Sequence, residues 1–101
     1  MRMKTLEIPL DSIQTLCEKH HVEKLYLFGS AAKGTMTEGS DVDLLVKFKE
    51  MKTSEYFENF LVLKNELQGV FGRKIDLVEL QTLKNPVLID SINQSKELIY
   101  G

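Results

Sequence analysis

Apolar positions recur along the chain with two periods, one helical and one strand-like, and their alternation lays out the elements. Leu10, Ile13, Leu16 and Cys17 stand three and four apart with polar residues between them, which is the spacing of one helix face. This predicts an amphipathic helix capped by Asp11 or Ser12 and ending near His20 and His21. The two histidines read as charge partners at the helix end rather than metal ligands, because adjacent helical residues point in different directions. Lys24-Leu25-Tyr26-Leu27-Phe28 is a short apolar run stopped by Gly29-Ser30, the pattern of a buried strand. A turn-rich stretch from Ala31 to Gly39 leads to a second strand, Val42 to Phe48. From Tyr56 to Phe71, the residues Phe57, Phe60, Leu61, Leu67, Val70 and Phe71 form a helical stripe, read as core, and Gly72 stops the helix. Lys74 to Val78 is a third strand. Pro86 suits the first turn of a last helix reaching Ser95, with Val87, Leu88 and Ile92 inward, and Leu98-Ile99-Tyr100 adds a short edge strand. Strands alternating with helices predict an α/β (α+β) fold in a single domain over 1–101, its helices packed on one side of a small sheet.

Composition narrows the function classes. Hydrophobic content of 43% and charged content of 28% belong to an ordinary globular domain. The formal charge is −2, with Lys and Arg scattered among the acids. No direct nucleic-acid contact is expected, since a basic stripe would be needed to neutralise phosphates. Cys17 stands alone, so an intramolecular disulfide is ruled out and the residue reads as a small core side chain. Neither a signal-peptide pattern nor a run of about 20 apolar residues occurs, so a cytoplasmic location away from membranes is expected.

The chemistry concentrates between Phe28 and Val46. On a strand, positions two apart share a face, so Asp41 and Asp43 project together while Val42 and Leu44 point away. Two carboxylates that close repel unless something positive lies between them. Mg²⁺ fits, because it takes oxygen ligands and is commonly held by one or two carboxylates plus substrate phosphates. Asp76, set within the apolar Ile75-Asp76-Leu77-Val78, would complete a three-carboxylate cluster if the third strand lies beside the second. Such a cluster suits a two-metal site bracketing a reacting phosphorus. Gly29 lets backbone approach a phosphate closely and Ser30 adds a hydroxyl donor. Gly34 frees the loop further, and Lys33 offers a charge to a polyphosphate. A phosphate cradle beside a metal cluster points to phosphoryl or nucleotidyl transfer.

Gly29-Ser30, followed after ten residues by Asp41-Val42-Asp43, resembles the signature of the DNA polymerase beta-like nucleotidyltransferase superfamily. Within it the chain resembles the minimal nucleotidyltransferases of MntA type, antitoxins found beside HEPN-domain toxins, from the first helix through Ile99-Tyr100. The resemblance implies a polymerase beta palm-like fold with a small mixed sheet. It implies that Asp41 and Asp43 bind two Mg²⁺ ions, with Asp76 completing the site and helping to activate the incoming hydroxyl. Gly29 and Ser30 would hold the β- and γ-phosphates of ATP, and Ser40 would shape the turn before the paired acids. Ala31 departs from the family pattern, where arginine often follows Gly-Ser. Lys33 stands where a second basic residue often lies.

The resemblance further implies a helical HEPN toxin as partner, with a tyrosine that receives AMP. The chain ends where the catalytic unit of larger relatives ends, so the acceptor is expected to dock directly or to complete the site as a separate chain. Two other readings stand beside this one. A non-catalytic antitoxin would silence its partner by occlusion, which Ala31 favours and the retained acids oppose. A small-molecule nucleotidyltransferase of antibiotic-modifying type would have to dimerise to build a substrate site. The apolar helix faces are compatible with a homo- or hetero-oligomer.

Overall fold

A computed structural model of the chain describes residues 8–29 and 41–101. In chain order it contains α1 (Leu10–Lys19), β1 (Val22–Phe28), β2 (Val42–Phe48), α2 (Thr53–Phe71), β3 (Ile75–Glu79), a 3-10 turn (Leu80–Thr82), α3 (Pro86–Ser95) and β4 (Glu97–Tyr100). The strands form one mixed sheet in the order β3-β2-β1-β4. β3 runs parallel to β2, while β1 is antiparallel to both β2 and β4. A parallel pair needs a long crossover, and the 19 residues of α2 provide it.

Alternation along the strands divides the sheet into two faces. Leu25 and Leu27 of β1, Val42, Leu44, Val46 and Phe48 of β2, and Ile75 and Leu77 of β3 point to one face. There they pack with Ile13, Leu16 and Cys17 of α1 and Leu63 and Leu67 of α2. Truncating one such buried leucine to alanine typically costs about 2–5 kcal/mol. Val22 also reaches this core although it lies three residues before Leu25. A register shift between Val22 and Lys24 inserts the extra residue that makes this geometry work. Cys17 is fully buried, and burial, with Glu18 nearby, pushes its thiol up to about 12. The thiol is therefore a packing group.

Several elements match the sequence pattern closely. β2 and α3 span the expected residues, and Asn85 caps α3, its side-chain oxygen accepting from the N–H groups of Val87 (3.0 Å) and Leu88 (3.4 Å). Gly72 terminates α2 with φ 66°, its N–H donating to the Gln68 carbonyl at 2.9 Å, a left-handed end that glycine adopts at little cost.

Other expectations are corrected. Neither Asp11 nor Ser12 caps α1; Pro9 occupies the cap position, two residues before Asp11, and no side chain bonds there. Leu10 is consequently exposed. In α2 the buried residues are Leu63 and Leu67, with Phe60, Val70 and Phe71 packed against the core, whereas Phe57 (69% exposed) and Leu61 (43%) face solvent. In α3 only Ile92 is buried; Val87 (76%) and Leu88 (45%) are not inward. Among the described residues no helix is long and apolar enough to cross a membrane.

His20 bonds to α2 rather than to its own helix end. Its ring is buried, with Nε2 2.5 Å from Glu66 Oε1 and Nδ1 2.8 Å from Asn59 Oδ1. Asn59 Nδ2 donates to the His20 carbonyl at 2.8 Å, which fixes the amide orientation. Hydrogen bonds from His20 and then Lys19 hold the Glu66 carboxyl below its ordinary 4.5. A lowered carboxylate stabilises the fold above its unfolded value and loses that contribution as pH falls through the folded one. Glu66→Gln is thus expected to lower the melting temperature by a few degrees near neutrality and to flatten its decline below pH 4.5, read by thermal melts across pH.

Candidate active site

The second sheet face carries the acids. Asp43 lies opposite Asp76 in the parallel ladder and opposite Phe28 in the antiparallel one. Neighbouring strands are about 4.8 Å apart, so Phe28, Asp43 and Asp76 form one cross-sheet row. Their flanking partners, Leu44 and Leu77, are buried on the core face, which fixes which way the carboxylates point, since a one-residue slip would invert both strands. Asp41 stands just before β2 and is exposed.

Gly29 closes against this row. It follows Phe28 with φ 66°, and a Cβ built there would meet Asp43 Oδ2 at 2.3 Å. The backbone that ends β1 is therefore in contact with the Asp43 carboxylate, an approach that only glycine allows. Burial first, then the charges of Asp76 and Asp41, raise the Asp43 carboxyl above its ordinary value.

The contact of Gly29 with Asp43 and the mutual repulsion of three carboxylates fit a hard divalent cation. The side chains are not already gathered around an ion centre. Among the described residues no group of three or more His, Cys, Asp or Glu is arranged to hold a metal. Ser30, Lys33, Gly34 and Ser40, expected to line the phosphate cradle, lie outside the described residues, as does Ala31. A cleft of about 330 Å³ between His20, His21, Met51, Glu58 and Val62 sits at the other end of β1 and β2, remote from the acids. Its polar groups His20 and Asn59 are already bonded to each other.

Residues 11–101 match the family described as "Polymerase beta, Nucleotidyltransferase". The chain belongs to that family. As a nucleotidyltransferase it takes a nucleotide substrate. It is 37% identical over 97% of its length to a Methanocaldococcus jannaschii protein named as a candidate protein adenylyltransferase, covering 99% of that relative. It is 36% identical to the protein adenylyltransferase MntA of Thermococcus cleftensis, over 86% of this chain and 89% of that one. The fold matches a crystal structure of a toxin–antitoxin complex with AMP-PNP, with a TM-score of 0.71 at 24% identity, over 93% of this nucleotidyltransferase and 74% of that chain.

One residue near the acid row escaped the sequence reading. Lys96, the residue between α3 and β4, lays its Nζ 4.6 Å from the centroid of the Tyr26 ring. Tyr26 lies two residues before Phe28 and so shares the acid face. A solitary lysine beyond a helix end carries no local signal of this contact.

Proposed function

We propose that this nucleotidyltransferase transfers AMP from ATP to a hydroxyl of a helical HEPN-type toxin and thereby acts as its antitoxin. The observation that carries the chemistry is the Asp43–Asp76 pairing in one sheet row, with Gly29 closed against Asp43. Asp41, Asp43 and Asp76 would hold Mg²⁺, which when bound supplies positive charge to the cluster and to the phosphoryl oxygens. Gly29 and Ser30 would take the β- and γ-phosphates, with Lys33, Gly34 and Ser40 as the further phosphate-binding residues of the signature segment. The α-phosphorus would then lie beside the carboxylates. The acceptor oxygen, a tyrosine hydroxyl on the partner, forms a bond to that phosphorus as the bond to the β-phosphate bridging oxygen breaks and pyrophosphate leaves. Asp76, at the exposed edge of the row, accepts the hydroxyl proton.

Support for a protein acceptor comes from the relatives, two of which are named for protein adenylylation, and from a fold shared with a toxin–antitoxin complex holding an ATP analogue. The molecule also offers apolar surface for docking, since Phe57, Leu61 and Val62 of α2 and Val87 and Leu88 of α3 are exposed.

Intact-mass spectrometry of the co-expressed toxin, incubated with the purified protein, ATP and Mg²⁺, tests the reading. A gain of one or more adenylyl groups, lost on chelation and in Asp41→Ala, is the expected outcome. Neutralisation of the toxin with no change in its mass would replace transfer by occlusion, and modification by Asp41→Ala at the wild-type rate would remove the carboxylates from the mechanism.

A further inference from the structure

We propose that Gln68 is a positioning residue of the carboxylate cluster. Its side-chain amide holds the entry of β3 against the entry of β2 and so sets the spacing of Asp76 from Asp41 and Asp43. The inference rests on the nucleotidyl-transfer reading and adds a residue that the signature segment does not contain.

The hydrogen bonds supply the geometry. Gln68 Oε1 accepts from the Ile75 N–H at 3.3 Å, and the Lys74 carbonyl accepts from the Val42 N–H at 3.0 Å. The Lys74 carbonyl and the Ile75 N–H belong to one trans peptide and point in opposite directions. That peptide is therefore held from both sides, by β2 on one and by α2 on the other. The Val42 N–H in turn belongs to the peptide that joins Asp41 to β2, and Asp76 comes directly after Ile75. A run of two hydrogen bonds thus leads from the Gln68 amide through the start of β3 to the start of β2. It passes one residue from Asp76 and ends at the peptide of Asp41.

An edge strand benefits from this second hold. Among the described residues β3 has β2 as its only strand neighbour, so its outward N–H groups must find acceptors outside the ladder. The end of a ladder is also where opening begins. The helix gives the amide a firm base. Leu67 beside it is fully buried, and the Gln68 carbonyl accepts from the Gly72 N–H at 2.9 Å. The first rung pairs Val42 with Ile75 and the next pairs Asp43 with Asp76. Without the amide the first rung can shift slightly while Ile75 and Leu77 keep their places in the core. Carboxylates that share an ion tolerate such a shift poorly, and groups that orient ligands from behind typically carry about 10–100-fold in metal affinity or activity.

Two measurements on the full chain test the role, in the wild type, Gln68→Met, Gln68→Asn and Gln68→Glu. Methionine keeps the length and helix propensity without the acceptor, asparagine draws the amide back, and glutamate keeps an acceptor. The first measurement is amide hydrogen exchange of the metal-free protein, read residue by residue by NMR. Gln68→Met and Gln68→Asn should each speed exchange at Ile75 and Val42 about fivefold, the loss of one neutral hydrogen bond, and leave Leu44 and Leu45 unchanged. The second is calorimetric binding of ATP with Mg²⁺ and with a chelator. The same two variants should bind about tenfold more weakly in Mg²⁺ and like the wild type in the chelator. Gln68→Glu should restore exchange and binding together. Faster exchange with unchanged affinity in Mg²⁺ would make Gln68 a strand staple alone and overturn the proposal. Equal losses in Gln68→Glu, or faster exchange throughout the sheet, would overturn it as well. A wild type whose ATP binding is indifferent to Mg²⁺ overturns the nucleotidyl-transfer reading and this role with it.

Discussion

Asp43→Asn is expected to abolish nucleotidyl transfer while raising the melting temperature of the metal-free protein. The substitution preserves shape and removes one charge. In the proposed mechanism that charge holds the ion, and losing several kcal/mol of transition-state stabilisation lowers the rate about 1,000-fold or more. The stability effect has the opposite sign. Burial, then Asp76 and Asp41, raise the folded-state pKa of Asp43, so the folded protein holds that proton more tightly than the unfolded chain. The corresponding stability is present below the ordinary value of 3.8 and is lost as pH rises through the folded value. At neutral pH the ionised carboxylate therefore works against the fold, and the neutral amide relieves it by a few degrees. The gain should shrink as pH falls towards the ordinary aspartate range. Added Mg²⁺ should raise the wild-type melting temperature and leave the variant unmoved, because a ligand stabilises only the state that binds it. A chelated Asp43→Asn protein that melts below wild type at neutral pH would show that Asp43 is a structural partner.

The paired acids were legible in the chain because a period of two is local. Asp41 and Asp43 bracket Val42 at the start of an apolar run, and no distant contact is needed to place them on one face. Asp76 was legible as an acid out of place among Ile75, Leu77 and Val78. Its pairing with Asp43, however, depends on the crossover through α2, which sets a parallel register that no local pattern encodes. The contact of Lys96 with the Tyr26 ring was invisible for the same reason, since the two lie in distant parts of the chain. The helix stripes failed for a geometric reason. α2 is longer than the strands it covers, so only the arc around Leu63 and Leu67 meets the sheet. Phe57 and Leu61 lie more than 100° around the helix from Leu63, at 100° per residue, and remain outside. An apolar arc wider than its contact leaves surplus apolar surface exposed to solvent. The misread cap has a simpler cause. Asp11 and Ser12 are both good capping residues, but the helix begins ahead of them, with Pro9 at the cap two residues before Asp11.

Gly29→Ala carries the second large effect, and it couples stability to activity more directly than any change among the acids. The backbone at Gly29 has φ 66°, a conformation that costs a residue with a Cβ about 1–2 kcal/mol. The added methyl group would also stand 2.3 Å from Asp43 Oδ2 and 3.2 Å from its Cγ, so either the carboxylate or the end of β1 must move. Asp43 is the more easily displaced, because its side chain can rotate while Phe28 is held in the ladder opposite it. The expected melting temperature falls by about 4–16 °C for a domain of this size. A displacement of the carboxylate on the order of 1 Å lowers transfer about 100-fold. The double variant Gly29→Ala/Asp43→Asn distinguishes the two costs. If the methyl group acts by pushing Asp43 aside, its effect on transfer should vanish once Asp43 no longer holds the ion, whereas the backbone strain and its loss of melting temperature should persist. Additive losses of activity would instead assign Gly29 a separate task, the close approach of its N–H to the phosphates.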